Sequence, residues 1–406
     1  MKQGWEIKKL GEIADVEYGF TDKSTEEGDY RYVRITDIDN NGELISTEKK
    51  YLKHSKEAEG FLISDNDLLM ARTGATFAKV LLYEDFEPSV FASYLIRIKF
   101  KEKIENKLYW YFTKTKSYWD QANSLASGAA QPHFNGAAVK QVIFSYPKSL
   151  PEQQRIVAIL DDAFAAIAKA KANAQQNLQN AKELFESYLQ GVFENKGEGW
   201  EEKSLEELAD EKCTLSYGIV QPGEEYLDGL PIIRPTDLTK RFIDLTGLKR
   251  IDPKLADGYK RTKLIGDELL LCVRGTTGTI SIATKELAGA NVTRGIVPIR
   301  FNSKIINQEF GYYLLISNFI QKQIRAKTYG AALMQINIRD LRNIQTTYPL
   351  LKTQLIIVQK LDTLRAETKK LESIYQQKIN DLEELKKSVL QKAFAGELKT
   401  DKVVAV

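Results

Sequence analysis

Two glycine-containing segments carry the residue types that can contact a phosphate group. Arg72-Thr73-Gly74-Ala75-Thr76 and Arg274-Gly275-Thr276-Thr277-Gly278 each follow an apolar run. Small residues, hydroxyls and an arginine can bring backbone N–H groups close to a phosphate oxygen. An ordinary glycine turn between strands is an equally good interpretation. The residues predicted here to contact nucleic acid are Arg72, Thr73, Gly74, Thr76, Lys79, Arg274, Gly275, Thr276 and Thr277.

Two pairs of amide side chains, Gln131 with Asn135 and Gln335 with Asn337, are candidates for reading adenine in a major groove. We favour hydrogen bonds to backbone where a domain meets a helix. A group of aromatic side chains could stack on bases, but its helical spacing favours packing in a core. This group consists of Tyr109, Trp110, Tyr111, Phe112, Tyr118 and Trp119.

Two arginine–aspartate pairs have the same spacing. Arg34 and Asp37 lie just after one predicted strand, and Arg234 and Asp237 lie just after another. Two interpretations are open for these residues: contact with bases and a buried structural ion pair.

The motifs of common enzyme classes are missing from this sequence. It contains no GxxxxGK[ST], GxSxG or HExxH, and no Asn/Asp-Pro-Pro-aromatic tetrapeptide. His54 and His133 are far from each other and from Cys213 and Cys272, which argues against a zinc site. We therefore expect no catalytic site and no metal or other cofactor in this chain.

Composition adds few limits on function. The net charge is +3, which permits a basic face without requiring one. The first twenty residues hold no uninterrupted apolar run, and no eighteen apolar residues are consecutive. With only two cysteines, the sequence predicts a cytoplasmic protein without a disulfide framework or a membrane span.

The chain contains an internal repeat with an offset of roughly 200 residues. GWEIKKLGEIADV recurs as GWEEKSLEELADE, YVRITD as IIRPTD, and DLLMARTGAT as ELLLCVRGTT. SGAAQPHFN recurs as YGAALMQIN, EQQRIVAILD as TQLIIVQKLD, and SYLQGVF as SVLQKAF. Between these blocks the copies differ strongly. A shared frame with different inserts indicates two related tasks with different targets.

Two segments of the repeat predict long helices. Apolar residues recur in each at spacings of three and four for about five heptads, which is typical of a coiled coil. Lys171, Thr368 and Lys378 interrupt the pattern. The simplest arrangement is an antiparallel pair, although the same seam could bind helices of a partner. The apolar positions are Val157, Leu160, Phe164, Ile167, Ala174, Leu178, Ala181, Phe185, Tyr188 and Val192, and Ile357, Leu361, Leu364, Leu371, Tyr375, Leu382, Leu385 and Val389.

The other segments alternate short apolar or β-branched runs with amphipathic stretches, which favours an α+β fold. The predicted organisation is two similar α/β recognition domains joined by two long antiparallel helices that form a coiled coil. The predicted boundaries are 1–150 for domain 1, 151–198 for connector helix 1, 199–350 for domain 2, 351–398 for connector helix 2, and 399–406 for a tail.

The repeated blocks resemble the specificity subunits of type I restriction–modification systems. The resemblance rests on GW…LGEIADV, YVRITD, SGAAQPHFN and above all LPEQQRIVAILDDAF leading into a long helix, and it covers nearly the whole chain. The second copy departs from the family pattern, since TQLIIVQKLD lacks the Pro-Glu pair and LMQIN lacks the usual proline.

The resemblance implies a DNA-binding subunit without catalytic activity. Each domain would read half of a bipartite site in double-stranded DNA, and the helices would set the spacing and bind two methyltransferase subunits. Those partners would use S-adenosylmethionine, and motor-nuclease subunits would use ATP and Mg²⁺. Two alternatives remain, namely the DNA-reading subunit of a type IIB-like system and a coiled-coil scaffold without a DNA role.

Overall fold

A computed structural model of the chain describes residues 4–45, 47–128, 132–331 and 333–398. It divides into two compact units. Unit 1 lies within Met1–Gln175 and Gln377–Val406, and unit 2 is Gln176–Gln376. The predicted 399–406 tail and Gln131 lie outside the described residues.

Unit 1 contains a recognition domain of short strands and short helices. Its strands are β1 (Trp5–Lys9), β2 (Ala14–Tyr18), β3 (Tyr30–Val33), β4 (Tyr51–Leu52), β5 (Leu68–Ala71), β6 (Val80–Leu82), β7 (Ser89–Phe91), β8 (Leu95–Phe100) and β9 (Ile143–Pro147). Its helices are α1 (Leu10–Ile13), α2 (Lys56–Glu59), α3 (Asn106–Phe112), α4 (Lys116–Leu125) and α5 (Gly136–Gln141). The long helix α6 (Leu150–Glu194) begins in this unit.

Unit 2 repeats this plan. Its strands are β10 (Glu201–Ser204), β11 (Leu230–Ile233), β12 (Phe242–Ile243), β13 (Lys249–Ile251), β14 (Leu269–Cys272), β15 (Ile280–Ala283), β16 (Asn291–Val292), β17 (Ile296–Ile299) and β18 (Gln345–Tyr348). Its short helices are α7 (Leu205–Leu208), α8 (Gln308–Ile316), α9 (Asn318–Lys327) and α10 (Ile338–Arg342). The second long helix, α11 (Leu351–Ala395), begins in this unit.

The two recognition domains share most of their sheet topology: β8-β5-β6 corresponds to β17-β14-β15, but the fourth strand differs, since β2 pairs with β8 in unit 1 and β12 pairs with β15 in unit 2. In unit 1 the strand orders are β2-β8-β5-β6, β4-β3-β7 and β1-β9. In unit 2 they are β12-β15-β14-β17, β13-β11-β16 and β10-β18. In both units the central hairpin is antiparallel, and one three-stranded sheet contains a parallel pair, β3 with β7 or β11 with β16. The α+β fold predicted from the sequence is confirmed.

The ends of the two long helices are buried in the core of each unit. In unit 1, Ile156 and Leu160 near the start of α6 and Leu390 and Ala393 near the end of α11 are buried in the core of the domain. In unit 2, the start of α11 and the end of α6 make the same arrangement, with Val358, Leu361, Leu189 and Phe193 buried. Because the start of one helix meets the end of the other, the helices run antiparallel within each unit.

The buried side of the helices differs from the predicted stripe at several positions. Leu371 and Leu385, predicted on the apolar seam, are 37% and 48% exposed. Thr368, predicted as an interruption, is buried. Tyr188 is 39% exposed, whereas the adjacent Leu189 is buried. As positions on the seam between α6 and α11 these predictions were wrong, because a helix of 3.6 residues per turn drifts away from a strict heptad stripe. A part for Leu371 and Leu385 in binding a partner stays a prediction.

The remaining residues that were predicted on the seam are buried or partly buried. Lys171, predicted as an interruption, pairs with Glu383 on α11. Several seam residues are buried, namely Val157, Leu160, Ile167, Ala174, Ala181 and Leu361. Others are partly buried, namely Phe164, Leu178, Phe185, Val192, Ile357, Leu364, Tyr375, Leu382 and Val389.

One buried glutamine connects each long helix to its domain. Gln153, in the first turns of α6, is fully buried. Its Oε1 accepts a hydrogen bond from the Glu105 N–H at 2.8 Å, and its Nε2 donates to the Pro147 carbonyl at 2.8 Å and the Lys103 carbonyl at 3.4 Å. The side chain therefore satisfies backbone groups in the two chain segments that lead into α3 and α6.

Gln354 on α11 makes the same connection in unit 2. It is also fully buried. It accepts from the Asn307 N–H and donates to the Ile305 and Pro349 carbonyls, each at 2.8 Å. Buried backbone groups that lose a partner are costly, so this amide fixes the direction in which each helix leaves its domain.

We predict that Gln153→Leu lowers the free energy of unfolding of unit 1 by about 2–4 kcal/mol, because it leaves a buried N–H and two carbonyls without partners. Gln154→Leu is the matched control, since Gln154 is exposed and the second copy carries Leu355 there. Denaturation followed by tryptophan fluorescence measures the difference, with Trp5, Trp110 and Trp119 in unit 1 and only Trp200 in unit 2. Equal midpoints for the two variants would contradict this role.

Candidate functional site

The first predicted phosphate-binding segment lies at a tight turn after β5. Gly74 has a φ of +80°, and residues Gly74–Thr76 form a 3-10 turn. The Thr76 hydroxyl donates to the Ile35 carbonyl at 3.0 Å, and the Lys79 ammonium donates to the Asn40 side-chain oxygen at 2.6 Å. The turn is thus held against the segment that follows β3. Its hydroxyl is already engaged by protein.

Arg72 precedes this turn and is held by two tyrosines. Its guanidinium carbon lies 5.4 Å from the Tyr18 ring centroid and 5.1 Å from the Tyr94 ring centroid. Tyr18 and Tyr94 are 42% and 51% exposed. Among the residues that the structure describes, no carboxylate pairs with Arg72. A cation held between exposed aromatic rings, with its charge uncompensated, is suited to binding an anion or a base edge.

The corresponding turn in unit 2 differs in its chemistry. Gly275 has a φ of +94°, and the Thr277 hydroxyl donates to the Met334 carbonyl at 3.1 Å. The Thr276 hydroxyl lies 3.5 Å from the Cys272 sulfur. The Arg274 Nε is buried and has no acceptor within the described part of the chain. Arg274 therefore also lacks a carboxylate partner among those residues.

Arg72 and Arg274 are not equivalent positions, although the sequence repeat places an arginine in both turns. Thr73 bridges to His133, and Arg274 bridges to Gln335. The Phe134 N–H donates to the Arg72 carbonyl. In unit 2, the Ile336 N–H donates to the Val273 carbonyl.

The register therefore aligns Thr73 with Arg274 and Arg72 with Val273. Neighbouring residues of an extended chain point to opposite faces. The sequence repeat has the same register, since DLLMARTGAT aligned with ELLLCVRGTT places Thr73 opposite Arg274. Thr73 and Arg274 share another property, since the Thr73 Oγ1 and the Arg274 Nε are both buried without a hydrogen-bond partner among the described residues.

The two arginine–aspartate pairs form bidentate structural ion pairs. Asp37 accepts from the Arg34 Nη2 at 2.7 Å, the Arg34 Nε at 3.2 Å and the Arg34 backbone N–H at 2.8 Å. Asp237 and Arg234 repeat the geometry at 2.9, 3.2 and 2.7 Å. The neighbouring carboxylate raises the pKa of each guanidinium. Because both arginines are engaged internally, the structural interpretation is supported and base contact is not.

Each of these corners packs close to a glycine. A Cβ on Gly74 would lie 3.5 Å from the Ile35 side chain, which follows Arg34. A Cβ on Gly295 would lie 2.5 Å from the Pro235 side chain, which follows Arg234. The ion-paired corner thus packs against Gly74 of the candidate turn in unit 1 and against Gly295, outside the candidate turn, in unit 2.

The amide side chains and the aromatic cluster have structural roles. The Asn135 Oδ1 accepts from the Ala138 N–H at 3.0 Å and caps α5, and the Asn337 Oδ1 accepts from the Asp340 N–H at 2.8 Å and caps α10. Gln335 contributes backbone hydrogen bonds to Tyr329. The predicted hydrogen bonds to backbone are thus confirmed for Asn135 and Asn337, at the starts of short helices inside the domains.

The aromatic group packs in the core of unit 1. Burial raises the pKa of the Tyr109 and Tyr118 phenols. The indole N–H of Trp110 donates to the Gly42 carbonyl at 3.1 Å. Core packing is confirmed and base stacking by this group is excluded for its buried members, namely Tyr109, Tyr111, Phe112 and Tyr118.

Sequence reasoning missed Tyr18, Tyr94 and Arg294. The Arg72 N–H donates to the Tyr94 carbonyl, and the Val273 N–H donates to the Gly295 carbonyl, so Tyr94 occupies the position of Gly295. Arg294, next to Gly295, is exposed and has no ion pair with a described residue. One signal was available, since Tyr18-Gly19 recurs as Tyr217-Gly218.

These glycines are needed for close strand approach. A Cβ on Gly19 would lie 2.3 Å from the Ala92 carbonyl oxygen, and a Cβ on Gly218 would lie 2.0 Å from the Val292 carbonyl oxygen. The repeated dipeptide therefore marks a point in each domain where two chain segments approach closely. Tyr18 reaches the Gly136 N–H, and Tyr217 reaches the Ile336 carbonyl.

The described residues contain neither a group of three His, Cys, Asp or Glu side chains that could hold a metal ion nor a helix with the length and apolar character of a membrane span. Cys213 and Cys272 are free and buried. Burial raises the pKa of the Cys213 thiol, which disfavours a reactive thiolate.

Two segments of the chain, residues 2–178 and 197–384, match the family described as the type I restriction modification DNA specificity domain. The chain belongs to this family. It is a DNA sequence-recognition subunit with two target-recognition domains. The two matched segments reproduce the internal repeat found in the sequence.

Individual relatives and solved structures agree with the family match. The specificity subunit of the type I restriction enzyme EcoBI from Escherichia coli is 25% identical over 97% of this chain and 86% of its own length. The EcoKI specificity subunit from Escherichia coli strain K12 is 20% identical over 98% of this chain and 90% of its own.

Among solved structures, the HsdS subunit from Thermoanaerobacter tengcongensis has a TM-score of 0.62 at 19% identity and 97% coverage of both chains. A chain from a structure that describes complex assembly and conformational transition of the type I R-M system has a TM-score of 0.73 at 18% identity. It covers 98% of this chain and 99% of its own length. These similarities establish the fold.

Proposed function

We propose that each recognition domain reads one half of a bipartite site in double-stranded DNA. One observation carries the proposal: the same frame presents different uncompensated cations at the glycine turn in each unit. Unit 1 presents Arg72 between Tyr18 and Tyr94, and unit 2 presents Arg274 with exposed Arg294. Different side chains on a common frame support reading of different half-sites.

The proposal extends to the long helices and to partner subunits. The paired helices set the gap between half-sites and provide the surface on which two methyltransferase subunits dock. The chain itself is not catalytic, and S-adenosylmethionine, ATP and Mg²⁺ act in methyltransferase and motor-nuclease subunits. Two helices of 45 residues each support this role, because such a helix rises about 68 Å. One turn of B-DNA is about 34–36 Å.

We predict that Arg72→Ala in the assembled complex weakens binding to all DNA sequences and lowers the salt slope by about one unit, if Arg72 contacts a phosphate. Arg72→Lys is the matched control, because it keeps the charge without the planar fork. Binding isotherms at several salt concentrations measure both. A bidentate base contact would instead show loss of preference at one position by about 1–3 kcal/mol in both variants.

Arg274→Ala tests unit 2 independently. Since Arg72 lies in unit 1 and Arg274 in unit 2, the effect of Arg274→Ala is expected to fall on the other half-site and to add to that of Arg72→Ala. A lower thermal midpoint with unchanged DNA affinity and an unchanged salt slope in both variants would contradict DNA contact by these turns.

A second prediction concerns the spacing. The change removes one heptad from each helix, residues 173–179 of α6 and 371–377 of α11. Both heptads lie between the Lys171–Glu383 contact of unit 1 and the Arg365–Phe185 contact of unit 2. Each heptad is about 10 Å of helix, or roughly three base pairs. The preferred gap should shorten accordingly and the half-sites should stay the same.

Selection of bound sequences from a random DNA pool measures both the gap and the half-sites. Three base pairs are also about a third of a turn of B-DNA, so affinity should fall even at the new gap. Deletion of the heptad from α6 alone is the control and should destabilise the helix pair. Altered half-sites with an unchanged gap would show that the helices do not set the spacing.

A third prediction concerns catalysis. The purified chain, given DNA, S-adenosylmethionine, ATP and Mg²⁺, should transfer no methyl groups and make no cuts, because recognition and chemistry reside in different subunits. Radiolabelled methyl incorporation and a cleavage assay measure this, with the reconstituted complex as the positive control. Methyl transfer by the chain alone would contradict the proposed division of labour.

A further inference from the structure

Unit 1 contains a cleft of about 200 Å³ between its recognition domain and the end of α11. Four lysines line it: Lys79 and Lys114 from the domain, and Lys386 and Lys387 from the helix. Glu383 is the carboxylate in the lining. The cleft therefore gathers more positive than negative charge from two separate parts of the unit.

The two carboxylates beside the cleft on α11 are already paired. Glu383 pairs with Lys171, and Lys387 pairs with Glu384 at 2.8 Å. Lys79, Lys114 and Lys386 have no carboxylate partner among the residues that the structure describes. Their contacts are with neutral groups.

These neutral contacts hold the three ammonium groups at the cleft. Lys79 donates to the Asn40 side chain, and Lys114 donates to the Asn41 carbonyl and lies 3.5 Å from the Trp110 ring centroid. Lys386 lies 4.9 Å from the Phe164 ring centroid. Burial, and then the charge of Lys386, lower the pKa of Lys114 to about 8, and the charges of Glu43 and Asp39 only partly offset this.

The repeat shows that the fold does not require these lysines. Lys114 immediately precedes Thr115, which caps α4, and its counterpart Ile316 immediately precedes Ser317, which precedes α9. Position 386 corresponds to Phe185, because SVLQKAF aligns with SYLQGVF. In unit 2 the apolar residues give a domain–helix junction without these charges.

Lys79 has a counterpart of the same kind. The Ala71 N–H donates to the Lys79 carbonyl, and the Cys272 N–H donates to the Thr279 carbonyl. The three unpartnered lysines of unit 1 thus occupy positions where unit 2 has threonine, isoleucine and phenylalanine. Like charges gathered in a partly buried cleft oppose folding, so their presence in only one copy calls for a ligand.

We propose that Lys79, Lys114 and Lys386 bind a phosphate group in this cleft, a site present in unit 1 and absent from unit 2. The phosphate belongs to a phosphate-containing small molecule or to the backbone of a polynucleotide, which share the chemistry that ammonium groups recognise. The site does not depend on sequence reading by the glycine turns. It is therefore separable from the proposed function.

The test uses the full chain with two probes, inorganic pyrophosphate and a DNA duplex that lacks the recognition site. Acetylation by an amine-reactive ester at pH 7.5, followed by mass spectrometry, measures the reactivity of each lysine. Without a probe, Lys114 should react faster than exposed lysines such as Lys116, since more of it is neutral. A bound phosphate should protect Lys114 and Lys386 and leave Lys116 unchanged.

The variants carry the residues of the second copy: Lys79→Thr, Lys114→Ile and Lys386→Phe. Each should weaken binding of the protecting probe about tenfold, as expected for one charged hydrogen bond. Lys116→Ile removes an exposed, Asp120-paired charge nearby and is the matched control. Because unit 2 folds with these residues, melting curves should show folded variants.

The outcomes distinguish the two sources of phosphate. Protection of the lysines by pyrophosphate, if it is lost in the variants, identifies a small-molecule site. Protection by the duplex alone identifies a backbone phosphate. Protection by neither probe, or equal affinities of the three variants and Lys116→Ile, would overturn the proposal. Intact pyrophosphate binding in a chain that fails to select any DNA sequence would count against the proposed function alone.

Discussion

The arrangement of each unit depends on one buried glutamine. Gln153 and Gln354 each lie in the first turns of a long helix. Their side chains form hydrogen bonds with backbone groups where the chain leaves the domain. Without that amide, buried N–H and carbonyl groups would lose their partners. The helix must therefore leave the domain in one direction. Its apolar side then meets the end of the other long helix, and the three parts share one core.

At this junction each copy has a tyrosine and a cation that contact one carboxylate on the long helix, but the cation comes from different parts of the two domains. The Tyr111 hydroxyl bonds to Asp161 on α6, and the Tyr313 hydroxyl bonds to Asp362 on α11. Lys107 pairs with Asp161 at 3.1 Å, whereas Arg241, from a different part of the domain, pairs with Asp362 at 2.7 Å. The carboxylate on the helix is retained and the source of its cation is not. A fixed acceptor with exchangeable donors lets the domain vary without loss of the junction.

The sequence was sufficient for the repeat, the long helices and the mixed strand–helix domains, because each of these depends on periodic or repeated residues. The Arg34–Asp37 corner was also accessible, since both members recur with the same spacing. The register at the turn was accessible as well, because DLLMARTGAT aligned with ELLLCVRGTT places Thr73 opposite Arg274, and the hydrogen bonds of His133 and Gln335 agree. The buried side of the long helices was not accessible. Leu371 is exposed and Thr368 is buried, because the buried side of a helix drifts away from a strict heptad stripe.

The residues that sequence comparison could not locate are those that distinguish the two copies. Tyr94 aligns with Gly295, and the neighbouring Arg294 takes the place of Ser93, on a backbone whose hydrogen bonds are the same in both units. The Arg234–Asp237 corner and Pro235 pack against Gly295, as the Arg34–Asp37 corner and Ile35 pack against Gly74. The ion-paired corners beside the turns are thus internally satisfied, while the neighbouring side chains of Tyr94 and Arg294 are exposed and contribute little to folding. Exposed positions on a satisfied frame can change with little loss of stability, and this is the property that a protein needs if its two halves are to recognise different sequences.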